Sequence, residues 1–295
     1  MNVFAYPYKM SAHLIVSDED SADFLQSQFS HDLRPFSVGQ STYGLWLDVK
    51  GKIVADSWVL CEGEAQFRIF SEECPGESIR EKLEKHIIAD DVELESGASV
   101  YGVALIGTGI GDAVAGAEGY LCRLPGRRSS RPSSELVFPD EASRDGWLSS
   151  NSCEIVSKSW IQEESIRAGV PAVMREVKPG DLPGEAGMVK DAVSLTKGCF
   201  LGQEVVARMH NVGRPQRGLY VLLGAGQAPV ETAAVASGEG KVLGDLRSLI
   251  ATADGWTGVA MLKSRFVECG MSVSVDGCVA QVQNEFRQGR GDDDA

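Results

Sequence analysis

The spacing of hydrophobic positions in the N-terminal third of the chain predicts an α+β arrangement. Residues 12–16 form a short apolar run typical of a strand, and Ser17 followed by three acidic residues marks a helix start. We expect this helix to run to about Leu33 and to bury Ala22, Leu25 and Phe29. Further strands are predicted over residues 42–49, 52–60 and 66–70, with a hairpin at Lys50-Gly51, and a second helix over residues 76–88.

The rest of the chain divides into a mixed middle part and an all-β C-terminal part. A strand over residues 101–106 precedes a glycine-rich turn, and residues 159–168 form a helix closed by Gly169 and Pro171. Beyond Gly213, short apolar runs alternate with glycines and no long helical pattern is present. This pattern predicts a small β-barrel, with runs over residues 219–223, 258–262, 271–275 and 279–282.

The turn after the strand over residues 101–106 is similar to a dinucleotide-binding loop. It reads Gly107-Thr108-Gly109-Ile110-Gly111, but Asp112 stands where the third glycine of the fingerprint would fall. No parallel β-α-β pattern surrounds it. We therefore expect a strand-to-helix turn and not a nucleotide site.

Length and charge limit the functions that are open to the chain. Its 295 residues, 43% of them hydrophobic, suffice for two or three domains with ordinary cores. Its 28 basic and 42 acidic residues give a net charge of −14, which disfavours nucleic-acid binding. No apolar run approaches the roughly 20 residues of a membrane helix, and residues 1–10 lack the apolar region of a secretory signal. We expect a cytoplasmic protein without membrane or nucleic-acid partners.

Seven cysteines are scattered along the chain without any C-x-x-C pair. The odd number and the spacing predict reduced thiols, without a disulfide framework or a preformed four-cysteine metal site. Two of them lie in alternating, strand-like sequence, which indicates core or surface positions: Cys269 and Cys278. The others are Cys61, Cys74, Cys122, Cys153 and Cys199.

Four arginines stand out from the acidic composition, in a loop rich in proline and serine: Arg123, Arg127, Arg128 and Arg131. Such a cluster is most often a solvated loop, and the alternative is a site for a phosphate or a carboxylate. At the C-terminus, residues 289–295 include three consecutive aspartates and are predicted to be a disordered acidic tail.

The stretch with the most specific chemistry is the octet Lys197-Gly198-Cys199-Phe200-Leu201-Gly202-Gln203-Glu204. It places a thiol beside a lysine, between two glycines, and before a helix predicted over residues 203–210. A neighbouring cation and a helix N-terminus both stabilise a thiolate, and glycines let backbone N–H groups approach a ligand. Two interpretations follow from the residues alone: a reactive thiol, or a buried cysteine in a tight turn between a strand over residues 192–195 and the helix.

The octet resembles the signature of the YgfZ family of folate-binding proteins, K-G-C-[FY]-x-G-Q-E. That family is related to the glycine-cleavage aminomethyltransferase and includes a mitochondrial iron–sulfur assembly factor. Three further parts of the chain are similar to motifs of the family: residues 24–32, which read FLQSQFSHD; Tyr43 with residues 50–53 and Asp56; and residues 167–171, which read RAGVP. The resemblance covers most of the chain.

The resemblance implies two interleaved α+β lobes with antiparallel sheets and a C-terminal β-barrel, arranged around a central folate pocket. The corresponding division gives a folate-binding region over residues 1–212, the barrel over residues 213–288 and the acidic tail after them. Tetrahydrofolate or a derivative is the implied cofactor, and an iron–sulfur cluster is a transient cargo. We expect a monomer whose partners are folate and iron–sulfur client or assembly proteins.

The resemblance also implies roles for individual residues. Asp32 corresponds to an aspartate beside the reactive folate nitrogen, and the alternative is that it ends a helix; its neighbour His31 is expected to be structural. Cys199 would ligate iron transiently or undergo redox exchange, and Lys197 would favour its thiolate. Trp160 is a pterin-stacking candidate or a core residue. Where some members have a tryptophan after the first strand, this chain has Ser11 and His13. The remaining candidates for the folate site are Tyr43, Arg167, Gly202, Gln203, Glu204 and Arg208, with Arg217 as a further partner for the folate carboxylates.

Three functions compete. The first is a folate-dependent accessory factor for assembly or repair of iron–sulfur clusters in client enzymes, including tRNA-modifying ones, acting through Cys199. The second is an aminomethyltransferase or other one-carbon transferase acting through Asp32, a chemistry for which the cysteine motif is unnecessary. The third is a non-catalytic folate-binding or interaction module. With no second cysteine nearby, Cys199 cannot form a stable cluster site by itself.

Overall fold

The computed structural model of the protein describes residues 3–114, 118–212 and 215–286. Within these ranges the chain forms two five-stranded sheets and a closed six-stranded barrel, with helices packed on the sheets. The α+β class and the C-terminal barrel predicted from the sequence are confirmed. The predicted acidic tail, residues 289–295, lies outside the described ranges.

The elements follow one another in this order along the chain. The strands are β1 (Val3–Lys9), β2 (Ala12–Ser17), β3 (Ser41–Leu47), β4 (Ile53–Gly63), β5 (Gln66–Ser71), β6 (Glu93–Ser96), β7 (Tyr101–Gly107), β8 (Cys122–Pro125), β9 (Ser133–Phe138), β10 (Glu154–Ile155), β11 (Arg217–Ala225), β12 (Ala234–Ser237), β13 (Val242–Thr252), β14 (Gly255–Lys263), β15 (Ser272–Val275) and β16 (Cys278–Glu285). The helices are α1 (Ser21–Gln28), α2 (Gly76–Glu84), α3 (Ile110–Val114), α4 (Glu141–Ser150), α5 (Lys158–Ala168), α6 (Val189–Ala192) and α7 (Gln203–Val212), with a 3₁₀ turn at Ser264–Phe266.

The two open sheets are interleaved in sequence. The first has the order β10-β1-β7-β9-β8 and the second the order β3-β4-β5-β2-β6. The chain therefore leaves the first sheet after β1, builds the whole second sheet, and returns at β7. Since β7 pairs antiparallel with both β1 and β9, no parallel β-α-β unit surrounds the glycine-rich turn. The strand-to-helix turn predicted there is confirmed.

The barrel closes in the order β11-β14-β13-β12-β15-β16, through antiparallel pairs. Its interior is apolar and centred on the fully buried Trp256. Two predictions about its cysteines are refined. Cys278 begins β16, whereas Cys269 lies outside the strands in an exposed turn.

Local chemistry explains the hairpin between β3 and β4. The Asp48 carboxylate accepts hydrogen bonds from the backbone N–H groups of Lys50 and Lys52, and Gly51 has a φ of 69°, which favours glycine. The predicted hairpin at Lys50-Gly51 is confirmed. By contrast, α1 ends at Gln28 and not near Leu33, because Phe29 turns into extended backbone and forms an isolated β-bridge with Trp46.

Lys82 on α2 is a buried cation without a carboxylate partner among the described residues. Its ammonium donates to Gln28 Oε1 at 2.7 Å and lies 5.6 Å from the centre of the Trp46 ring. Burial lowers the pKa of Lys82 from 10.5 to about 7. The unfolded chain therefore binds more protons than the folded protein between these pH values, so the folded state gains stability as the pH rises.

We expect the wild type to gain about 3–5 kcal/mol relative to a Lys82→Met variant between pH 7 and pH 10. Denaturant unfolding of both proteins at the two pH values measures this difference. Lys85→Met, which removes an exposed lysine from the end of the same helix, is the control and should show no such gain. A stability difference between wild type and Lys82→Met that is the same at both pH values would contradict the buried charge.

Candidate functional site: the octet loop and the cavity between the sheets

The octet loop, defined as residues 197–204, follows α6 and includes the first two residues of α7. The strand predicted over residues 192–195 is wrong, because α6 ends at Ala192 and the chain continues without sheet partners. Gly198 and Gly202 have φ values of 101° and 82°, which favour glycine. The Cys199 thiol is free and exposed, so the interpretation as a buried cysteine does not hold. The helix predicted after the octet is confirmed as α7.

Backbone hydrogen bonds fasten the octet loop and the residues before it to the end of α1. Ser194 N donates to Ser30 O at 3.0 Å, and Leu201 N donates to Ser27 O at 3.0 Å. The Ser30 hydroxyl donates to Ala192 O at 2.5 Å. Residues 27 and 30 belong to the segment 24–32, so two segments that carry the family resemblance meet in space although about 170 positions separate them in sequence.

Lys197 is buried and connects this loop to the end of α1 through hydrogen bonds. Its ammonium donates to three backbone carbonyls, those of Gln26 at 2.6 Å, Phe29 at 2.7 Å and His31 at 2.8 Å. Burial lowers the pKa of Lys197 to about 8, with the Asp32 charge opposing this shift. An ammonium has three N–H donors, and these carbonyls take all three. The predicted stabilisation of the Cys199 thiolate by Lys197 therefore has no free donor to act through.

Asp32 lies beside the octet loop but its carboxylate is already occupied. Arg34 donates to both carboxylate oxygens at 3.0 Å, and Gln26 Nε2 donates to Oδ1 at 2.8 Å. The Arg34 hydrogen bonds hold the pKa of Asp32 well below its usual range. The same guanidinium donates to Lys197 O at 2.7 Å. Asp32 thus orients Arg34 against the octet loop, which agrees with the structural alternative for this residue.

The β3–β4 hairpin turn, a third part of the chain that resembles a family motif, packs against the same loop. A Cβ on Gly202 would lie 2.6 Å from Asp48 O and 2.8 Å from Gly51 Cα, and a Cβ on Gly51 would lie 3.0 Å from Gly202 O. Both glycines also have positive φ. The two backbones approach closely only because both positions are glycine, so the hairpin turn and the octet loop fix each other.

The candidate folate ligands on α7 face away from this contact. Glu204 and Arg208 are exposed, and Gln203 is half-buried. None of these side chains has a polar partner within the described part of the chain. Arg217, predicted to meet folate carboxylates, instead donates to Glu185 Oε2 at 2.7 Å and to Asp181 Oδ1 at 3.3 Å. It therefore joins β11 of the barrel to the segment before α6.

A cavity lies between the second sheet, the β8–β9 connection and the segment after α5. Residues of the arginine cluster and Asp56, both noted in the sequence, line it. The cavity is small, with about 30 Å³ of internal space, and is partly open to solvent. Neither Cys199, Asp32 nor Arg167 lines it. Its walls carry three carboxyl groups and three guanidinium groups, together with apolar surface: Asp56, Glu72, Glu73, Arg127, Arg128, Arg175, Trp58 and residues 170–173.

Asp56 lines this cavity, and Tyr43 contacts its carboxyl group. The Tyr43 hydroxyl donates to Asp56 Oδ2 at 2.5 Å, and the Arg127 guanidinium stacks 3.5 Å from the centre of the Tyr43 ring. Burial raises the pKa of Asp56, opposed by the hydrogen bonds that it accepts and by the charge of Arg127. Within the described residues Arg127 has no hydrogen bond or ion pair, so its donors remain available to a ligand.

The arginine-rich loop, predicted to be solvated, is so only in part: Arg123 and Arg131 are exposed, whereas Arg128 is buried. Arg128 is buried, where it pairs with Glu72 and donates to Glu135 Oε1 at 3.0 Å. Arg131 pairs with Glu164 at 2.9 Å, and Arg123 donates to Ser134 Oγ at 2.6 Å. Because each guanidinium meets a group that is distant in sequence, composition alone favoured the solvated interpretation.

Two buried donors at the cavity have no partner among the described residues: Arg128 Nη2 and Trp58 Nε1. Buried polar groups without partners are costly and rare, so these atoms suit a ligand that presents oxygen or nitrogen acceptors. Asp56 supplies an acceptor for ligand N–H groups. Asp56 was visible in the sequence as part of a motif, but the sequence did not show that Asp56 lines the cavity whereas Asp32 does not.

Two other candidates, Arg167 and Trp160, lie away from the cavity. Arg167 is exposed and pairs with Glu163 one turn earlier on α5. Trp160 is half-buried and packs against Phe4, with ring centres 4.8 Å apart. The R-x-G-x-P segment reaches the cavity instead through its last residues, Val170 and Pro171. Ser11 and His13 line a separate open cleft near residues 97–100.

The described part of the chain holds no group of three or more His, Cys, Asp or Glu side chains placed to bind a metal ion. No described helix is long and apolar enough to cross a membrane.

Comparison with solved structures defines the class of the fold. The structure matches the glycine cleavage system aminomethyltransferase T from Bartonella henselae with a TM-score of 0.76, over 98% of this chain and 88% of that chain, at 17% identity. No protein-family model matches the chain. The molecule has an aminomethyltransferase-like fold with an exposed thiol on the octet loop.

Sequence comparison finds curated relatives of two kinds. The chain is 23% identical to the tRNA-modifying protein YgfZ of Vibrio atlanticus over 72% of this chain and 67% of that protein. It is 36% identical to the human mitochondrial iron–sulfur cluster assembly factor IBA57 over 34% of this chain and 29% of that protein, and 32% identical to the mouse protein over the same shares. The match thus spans less than a third of the mitochondrial relatives. The chain is therefore similar to YgfZ and to IBA57, in agreement with the resemblance that the octet carries. The human and mouse relatives are named as mitochondrial, and the cytoplasmic location stays a prediction.

Proposed function

We propose that the chain is a tetrahydrofolate-binding accessory protein that supports assembly or repair of iron–sulfur clusters in client enzymes, with Cys199 as the reacting group. The observation that carries this proposal is an exposed thiol on a loop fixed by hydrogen bonds to α1 and by close packing against the β3–β4 hairpin. The names of the relatives support the same direction, because two are iron–sulfur cluster assembly factors and one is a tRNA-modifying protein.

The position of Cys199 suits transient chemistry. Thiolate is a preferred ligand of iron in clusters, and the thiol stands in solvent four residues before the start of α7. A single thiol supplies one ligand, so a client, an assembly protein or a small thiol must complete the coordination. Redox exchange of the same thiol with a partner is the other use that this exposure allows.

We place the pterin edge of tetrahydrofolate at the open side of the cavity between the sheets and not at the octet loop, because the cavity holds buried donors without partners among the described residues. The cavity offers the Asp56 carboxyl group to N–H groups of a pterin, and Arg128 Nη2 and Trp58 Nε1 to its acceptors. Arg127 adds a cation without a partner among the described residues. In this proposal, folate and Cys199 occupy different places. Folate binds at the cavity, and the Cys199 thiol reacts with the iron–sulfur cluster or with a partner protein.

One-carbon transfer through Asp32 has less support, because Arg34 and Gln26 already use both oxygens of that carboxylate. A transferase with this fold would instead act through a carboxyl group that lines the cavity, such as Asp56. Such an enzyme needs no exposed thiol, so loss of function on changing Cys199 separates the two candidates.

We test function in cells whose own YgfZ- or IBA57-type gene is deleted and whose iron–sulfur enzymes are therefore impaired. We expect wild-type protein to restore the activity of these enzymes and Cys199→Ser to restore none. The stability and the tetrahydrofolate affinity of the protein should be the same in both. Cys269→Ser is the matched control, since Cys269 is also an exposed free cysteine but lies on the barrel. Client enzyme activity, thermal unfolding and calorimetric titration with tetrahydrofolate are measured for both variants. Full rescue by Cys199→Ser would remove the thiol from the mechanism.

The folate part of the proposal is tested separately. Titration of the wild-type protein with tetrahydrofolate should show binding at submillimolar concentration, and an Asp56→Asn variant should bind more weakly. Absence of any binding to the wild type would refute the folate proposal and leave the thiol proposal to its own test.

A further inference from the structure

The carboxyl group of Asp56 is held on both oxygens by neutral donors. The Tyr43 hydroxyl donates to Oδ2 at 2.5 Å. The Cys74 thiol donates to Oδ1 at 3.1 Å, and the Ser71 hydroxyl reaches the same oxygen at 3.4 Å. Asp56 N in turn donates to Cys74 Sγ at 3.4 Å. The Cys74 thiol therefore contacts both the backbone and the side chain of Asp56.

Cys74 itself is rigidly placed. It is fully buried in the connection between β5 and α2, and its backbone N–H donates to Ser71 Oγ at 3.2 Å. Burial and the neighbouring Asp56 charge raise the pKa of the Cys74 thiol, so it stays protonated at physiological pH. A protonated thiol is a hydrogen-bond donor and not a nucleophile. This distinguishes Cys74 from the exposed Cys199.

The charged groups around Asp56 do not hold it in the same way. Arg127 lies over the Tyr43 ring and attracts the carboxylate through space without a hydrogen bond to it, and Glu72 on the cavity wall repels it. The orientation of the carboxyl group therefore depends on Tyr43, Cys74 and Ser71. Of these, the thiol makes the shorter contact with Oδ1.

We infer that Cys74 is a positioning residue of the cavity: its buried thiol, together with the Tyr43 hydroxyl, fixes the Asp56 carboxyl group in the orientation that receives an N–H group of the bound ligand. The ligand in this inference is tetrahydrofolate, and to that extent it rests on the proposed function. The role of Cys74 towards Asp56 is a property of the protein alone.

The test begins with the ligand-free protein. The pKa of the Asp56 carboxyl group is measured by ¹³C NMR in the wild type, Cys74→Ala and Cys74→Ser. Loss of a donor to the carboxylate should raise this pKa by about one unit in Cys74→Ala, whereas Cys74→Ser keeps a donor and should stay near the wild type. Cys61→Ala is the matched control, because Cys61 is also buried but donates to the carbonyls of Phe36 and Gly63.

Tetrahydrofolate affinity is then measured for the same variants. We expect Cys74→Ala to bind about five- to tenfold more weakly, Cys74→Ser and Cys61→Ala to bind like the wild type, and thermal unfolding to confirm that each variant folds. An Asp56 pKa that is the same in Cys74→Ala and the wild type would overturn the inference. If the wild type binds no tetrahydrofolate while the pKa shifts as expected, the proposed folate function fails and the positioning role of Cys74 stands.

Discussion

Lys197→Met is expected to lower the free energy of unfolding by about 3–5 kcal/mol and to loosen the octet loop. The variant removes three charge-assisted hydrogen bonds of 2.6–2.8 Å to backbone carbonyls at the end of α1. Each such bond contributes about 1.5–3 kcal/mol, but the variant also removes the cost of burying the charge, which the lowered pKa of Lys197 reflects. The net loss is therefore smaller than the sum of three bonds.

Denaturant unfolding at pH 7 measures the loss of stability, and hydrogen exchange of the Leu201 and Ser194 amides reports on the loop, since both amides donate to the α1 segment. Lys190→Met is the control, because Lys190 is an exposed lysine on the neighbouring α6. Cys199→Ser should change stability by less than about 0.5 kcal/mol. If Lys197 served chiefly to activate the thiol, Lys197→Met would leave stability intact and only slow the alkylation of Cys199.

The parts of the fold that were predictable from sequence are those with local causes. The β3–β4 hairpin follows from a glycine in the turn and an aspartate that accepts from it. The end of α5 follows from Gly169, which has a φ of 67° and closes the helix. The barrel follows from apolar runs separated by glycines. In each case the residues that decide the structure are neighbours in sequence.

The parts that were not predictable depend on distant partners. The end of α1 is set by the packing of Phe29 against Trp46, which carries the backbone out of the helix. The two-residue strand β10 exists because it pairs with β1, about 150 positions earlier. The sequence alone offered no periodic signal for such a short element, or for the edge strands β6 and β8.

The candidate site shows the same division. The octet loop and its exposed thiol were visible as a motif, but the sequence assigned Lys197 to the thiol and Asp32 to the folate. Their partners are backbone carbonyls and Arg34, respectively. A motif identifies which residues matter, whereas the direction in which each side chain points depends on the packing around it.

Arg128→Met is expected to cost about 3–5 kcal/mol of stability at pH 8, because it leaves two carboxyl groups at the cavity without their cation. Arg128 is buried between Glu72 and Glu135, and Glu135 is itself almost fully buried with one further donor, the Tyr8 hydroxyl at 2.8 Å. Arg131→Met, in the same loop, is the control. Arg131 is 41% exposed, so losing its ion pair should cost no more than about 1 kcal/mol.

The pH dependence of this cost identifies its cause. Burial raises the pKa of Glu135 above 4.5, and Arg128 opposes that shift, so the variant raises it further. A carboxyl group with a raised pKa in the folded state destabilises the fold increasingly as the pH climbs above the unfolded value. The destabilisation by Arg128→Met should therefore be smaller at pH 5 than at pH 8, and the further change Glu135→Gln should recover part of it at pH 8. A cost that does not vary with pH and is not relieved by Glu135→Gln would mean that Arg128 contributes packing and not charge.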